Sequence, residues 1–125
     1  MRSVRVRYPD RGSILATPKT VAENLGASRP EVAEIRLFGS LARGTRNPFA
    51  DADLLIVLDA SDVPVLDRPP LYKPLGVPIP IDLTVCTRGE LDRELAAGNR
   101  FVRRIVAESV PLYTRETGTK KEQRR

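Results

Sequence analysis

Apolar positions fall in short blocks along the chain, separated by turn residues, and the blocks follow two different periods. Ile35-Arg36-Leu37-Phe38 has the extended pattern of a strand and ends abruptly at Gly39-Ser40. Ser40 is then expected to cap a short helix through Leu41-Ala42-Arg43, closed by Gly44. After the polar stretch Thr45-Arg46-Asn47-Pro48-Phe49, residues 51–58 read as a central strand. Leu54 to Leu58 is unbroken aliphatic sequence, so both faces of that strand should be covered. Ile81, Leu83 and Val85 alternate with Asp82, Thr84 and Cys86, which predicts a third strand over 81–87. Thr87-Arg88-Gly89-Glu90 has the form of a capping box, and a helix should follow to Ala97. Gly98-Asn99 should break it, a second helix should occupy 100–108, and Val110-Pro111-Leu112-Tyr113 should form a closing strand.

Upstream the pattern is weaker. Val4 to Tyr8 alternates apolar and basic residues and could be a short strand or an arm. Thr17-Pro18 predicts a helix start that runs to about Leu25, with Gly26 just past its end. Six of the eleven prolines lie in residues 59–80, which rules out a long helix or a central strand there. That segment is expected to be a surface connection. The whole predicts a mixed α/β fold, a small sheet with helices packed mainly on one side. One domain is expected over 1–125, with its core at about 14–113 and tails at 1–11 and 115–125.

Composition narrows the chemistry. There is no histidine, which excludes imidazole-held zinc and histidine-based nucleophilic catalysis. A metal would have to sit on oxygen ligands, which suits Mg²⁺, Mn²⁺ or Ca²⁺. Cys86 is the single cysteine, so no internal disulfide forms. With no apolar run of membrane-spanning length and no signal-peptide pattern, a cytoplasmic protein is expected. The net charge of +5 is concentrated at the ends: 1–11 and 115–125 each carry +3, and the remainder carries −1. Such tails can be solubilising ends or a weak contact for an acidic partner or nucleic acid.

Two short motifs stand at the ends of adjacent predicted elements. Gly39 lacks a Cβ, so a phosphate can approach its backbone, and Ser40 adds a hydroxyl and a backbone N–H at a helix start. Asp51 and Asp53 are two residues apart at a strand start, so their side chains share a face. Carboxylates so close repel each other unless a cation lies between them. Asp82 holds the polar parity of its strand and could join them, as a third metal ligand or as a proton acceptor. Its alternative role is a surface-facing strand position. Arg43 is either a phosphate contact or a cation favoured by the helix end.

The segment 37–44, Leu-Phe-Gly-Ser-Leu-Ala-Arg-Gly, together with Asp51-Ala52-Asp53-Leu54-Leu55-Ile56-Val57, resembles the nucleotidyltransferase superfamily of DNA polymerase β type. The family pattern is Gly-Ser, ten residues, then Asp-x-Asp, and residues 41–50 are those ten. Within it the chain looks most like the minimal nucleotidyltransferases, antitoxin partners of HEPN-domain toxins. The resemblance spans roughly residues 30–113. It departs at Ala50, where serine often precedes the first aspartate.

The resemblance implies the polymerase β-like fold and nucleotide contacts at Gly39, Ser40 and Arg43. It also implies Mg²⁺ on Asp51 and Asp53, with Asp82 as the third carboxylate. The implied reaction is transfer of AMP from ATP to a hydroxyl. A chain this short has no room for an acceptor domain, so the acceptor is expected on a partner protein. The resemblance suggests a HEPN-type toxin, silenced by AMP on a tyrosine, in a hetero-oligomer. Nucleic acid is not expected as a direct substrate. Residues 64–80 and the apolar faces of the two late helices are candidate partner surfaces. A non-catalytic antitoxin that neutralises its partner by occlusion is the alternative.

Overall fold

The structure is a computed structural model; it describes residues 11–44, 51–74 and 80–115, with side chains from residue 17 onward. The expected Val4–Tyr8 strand and the 45–50 loop lie outside these residues. The elements run α1 (Arg11–Ser28), β1 (Val32–Phe38), α2 (Gly39–Ala42), β2 (Ala52–Leu58), α3 (Pro69–Tyr72), β3 (Ile81–Thr87), α4 (Arg88–Ala96), α5 (Arg100–Glu108) and β4 (Val110–Thr114). A single 3₁₀ turn, Val65–Asp67, precedes α3.

The four strands make one mixed sheet in the order β3-β2-β1-β4. β2 and β3 are parallel, whereas β1 is antiparallel to both β2 and β4. β2 is central and its last five residues are all buried, as its unbroken aliphatic sequence requires. Its even positions Ala52, Leu54, Ile56 and Leu58 pack on one side with Ile35, Leu37 and Val85. Val21 and Ala22 of α1 and Tyr72 of α3 close that layer. Its odd positions Leu55 and Val57 pack on the other side with Leu91 of α4 and Ile105 of α5. The helices therefore divide between the two faces instead of gathering mainly on one. An all-apolar strand has two faces to cover, and α1 supplies the second cover.

The apolar faces of α4 and α5 are spent on this packing. Leu91, Leu95, Val102, Ile105 and Val106 all join the sheet, so these faces are not open to a partner. Both helices start as the sequence predicts. Thr87 and Glu90 form the reciprocal capping box of α4, and the Asn99 side chain accepts from the Val102 N–H at the start of α5. Gly98 takes the left-handed conformation that stops α4.

α1 differs from expectation at both ends. It already runs before Thr17, with Pro18 inside it and Gly26 within its last turns. Proline costs a hydrogen bond in mid-helix, but the Pro18 ring is fully buried, as is the helix face of Ala22. Gly26 lies against the Tyr113 ring of β4, and a Cβ there would strike it. The glycine thus serves a close approach between helix and strand. Arg115, expected in a tail, donates from its guanidinium to the carbonyls of Val32 (2.9 Å), Arg29 (3.0 Å) and Gly26. It closes the exit of α1 in the manner of a C-terminal cation.

The proline-rich connection is held by a side chain that gives no sequence signal. Arg68 is buried and grips Glu90 with two hydrogen bonds, of 2.7 and 3.0 Å. Its Nε donates to the Val63 carbonyl. Tyr72 donates to Glu31 (2.7 Å) under the Arg29 guanidinium.

Candidate active site

β1 reaches its end with Phe38 fully extended, and the chain turns at Gly39, where φ is +80°. An L-residue in that region costs about 1–2 kcal/mol, which glycine avoids. The turn is anchored from within: Leu41 and Ala42 are buried in the α1-side core. Gly39 and Ser40 remain at the rim. Ser40 is not the helix cap that the sequence suggests. α2 begins two residues earlier, with Phe38 in the cap position and no side-chain cap, so the Ser40 hydroxyl is not spent there.

Strand register brings the other residues to the same end of the sheet. Phe38 of β1 pairs with Asp53 of β2, and Asp53 pairs with Asp82 of β3. The Ala52 N–H donates to the Pro80 carbonyl (2.9 Å), tying the starts of the two parallel strands. Asp53 has the parity of Leu55 and Val57, so it stands on the α4–α5 face. Its carboxylate rests directly on Gly39; a Cβ at position 39 would collide with Oδ2. Gly39 is therefore required twice, for its backbone angle and for the space that Asp53 fills. Asp51 stands just before β2 and is exposed, as is Asp82.

The electrostatics agree with this grouping. The Asp53 carboxyl is held above its usual range, first by burial and then by the negative charges of Asp82 and Asp51. Arg43 opposes the rise. Asp51, Asp82 and Arg43 thus all act on Asp53 at a single sheet end. Arg43 is half-exposed and pairs with Glu108 at the end of α5 (3.1 Å), whose other oxygen lies 4.0 Å from Arg104. A pair this open contributes at most about 1 kcal/mol. Sequence reasoning missed Glu108, because nothing in the sequence connects positions 43 and 108.

The model of the family described as "Nucleotidyltransferase domain" matches residues 19–117. The chain belongs to the nucleotidyltransferase domain family. Solved structures agree. A Sulfolobus solfataricus protein described as a candidate nucleotidyltransferase is 27% identical, with a TM-score of 0.61 and 86% of each chain covered. No curated protein matches the chain. The family and the fold make it a transferase of nucleotidyl groups.

Nucleotidyltransferase domains generally use a divalent cation such as Mg²⁺ with a nucleoside triphosphate. The sheet end fits such an ion in donor type and charge. Its donors are carboxylate oxygens, the ligands Mg²⁺ prefers, and Asp53 carries the repulsion of two neighbouring acids, which Arg43 offsets only in part. Among the described residues, no three His, Cys, Asp or Glu side chains are gathered closely enough to enclose an ion. Mg²⁺ commonly keeps several waters and binds through one or two carboxylates plus substrate phosphates.

Cys86 has no part in this chemistry. It packs beneath α4, and burial pushes its thiol up to about 11. No helix among the described residues is long and apolar enough to cross a membrane.

Proposed function

We propose that this nucleotidyltransferase moves AMP from ATP to a hydroxyl of a partner protein. Supporting this reading is the convergence of Gly39 with Asp53 and Asp82, all at one sheet end, with Asp51 beside them. Gly39 and Ser40 hold the phosphates through backbone N–H groups and the Ser40 hydroxyl, which does not cap α2. Asp51 and Asp53 hold Mg²⁺, which when bound neutralises phosphate charge. Asp82, beside Asp53 in the strand register, takes the proton of the attacking hydroxyl. That oxygen bonds to the α-phosphorus, and the bond from that phosphorus to the departing pyrophosphate breaks. Arg43 adds positive charge beside the triphosphate.

The acceptor we propose is a HEPN-type toxin, modified on a tyrosine and so silenced as an RNase, with this chain as its cytoplasmic antitoxin in a hetero-oligomer. The position of a phosphorus label tests the reaction. ATP labelled at the α-phosphate should label the partner, and ATP labelled at the γ-phosphate should not. Label from the γ-position would indicate phosphorylation instead. No label from either, with complex formation unimpaired by D51N/D53N, would replace transfer with neutralisation by occlusion.

A further inference from the structure

We propose that the outward face of α5 is the surface on which the acceptor protein docks, and that it takes an acidic segment carrying an apolar side chain. This rests on the protein-acceptor reading above. Phe101 is 70% exposed, although the apolar face of the same helix is packed on the sheet. Phe101 thus stands clear of the core that Val102, Ile105 and Val106 of the same helix enter. Arg100, Arg103 and Arg104 are exposed along the outward side of the same helix, with Arg104 one turn from Phe101. Among the described residues, neither Arg100 nor Arg103 is paired with a carboxylate. The outward side thus offers an aromatic anchor at its edge and unspent positive charge along it, which is complementary to an apolar residue followed by carboxylates.

Its position gives it a role in the reaction. Phe101 and Arg104 are one turn apart, and Arg104 lies beside Glu108, which holds Arg43. Seven residues separate Phe101 from Glu108, about 10 Å along the helix. α5 covers the sheet face on which Asp53 stands. A segment seated along this face and running past Glu108 therefore ends beside Arg43, the guanidinium that acts on Asp53. Single-stranded RNA is less well matched, because stacking platforms for bases use several aromatic side chains, and Phe101 is the only aromatic residue of α5.

Selection from a random peptide display library on the immobilised chain tests the proposal without nucleotide or transfer. Failure here is therefore distinct from failure of the reaction. Selected peptides should be rich in Asp and Glu around one aliphatic or aromatic residue. The best peptide should bind F101A and R100E/R103E roughly 10-fold more weakly or worse, with thermal midpoints unchanged for these exposed positions. Raising the salt concentration should weaken its binding to the intact chain. Selection of no acidic class, or equal binding to all three proteins, would overturn the proposal. So would tight binding of a single-stranded RNA oligonucleotide that R100E/R103E abolishes.

Discussion

Gly39→Ala is the most informative small change in this molecule, because two separable costs meet at one atom. The added methyl must adopt φ near +80°, which costs about 1–2 kcal/mol in any background. It must also displace the Asp53 carboxylate, which fills the space where a Cβ would be. Overpacking of this kind adds about 1–3 kcal/mol. Asp53→Ala removes the obstructing oxygen and leaves the backbone cost in place. The two changes should therefore couple by about 1–3 kcal/mol in a double-mutant cycle. Urea unfolding of the four proteins measures this. Asp53→Asn keeps an atom of similar size at the contact, so with it the coupling should persist. Asp53→Ala alone should not destabilise at neutral pH, because it removes a carboxylate that burial and two like charges disfavour. Equal costs of Gly39→Ala in the intact chain and in the Asp53→Ala background, within about 0.5 kcal/mol, would refute the contact.

Other changes should report on the packing toward the opposite end of the sheet, where Val32, Leu58 and Thr87 lie in register. Glu90 is held down at about 2, chiefly by the Arg68 hydrogen bonds and next by the Thr87 N–H. Its stabilisation is complete above the ordinary glutamate value and is lost as pH falls toward 2; Glu90→Gln should cost about 2 kcal/mol at pH 7 and flatten that part of a stability–pH curve. Gly26→Ala should destabilise by about 1–2 kcal/mol in thermal unfolding despite alanine's better helix propensity, because the Tyr113 ring must move. Arg115→Ala should cost about 1–3 kcal/mol by the same measurement, since it strips hydrogen bonds from three carbonyls at the exit of α1.

What could be read from the sequence was what depends on neighbours in the chain. The capping box at Thr87, the break at Gly98-Asn99 and the alternation of 81–87 are local signals, and each element they define is found at those residues. The Gly-Ser and Asp-x-Asp motifs were legible for a related reason. They end one strand and begin the next, and antiparallel pairing brings such ends together. The misplaced features depend on distant partners. The end of α1 is set by Tyr113 and Arg115, residues remote in sequence that turn an expected stop at Gly26 into a contact. Arg68 lies among prolines and reveals its role only beside Glu90. Arg43 meets Glu108 because α5 returns to the site over the sheet. Ser40 has the right chemistry for a cap, but the turn at Gly39 starts the helix two residues sooner.

The intact mass of the partner protein tests the central claim most directly. The chain would be incubated with Mg²⁺, ATP and a HEPN-type partner, beside a control carrying Asp51→Asn and Asp53→Asn. The account predicts that the partner gains one or more AMP units with the intact chain and none with the control. An unchanged partner mass with both proteins, while both still form the complex, would contradict it.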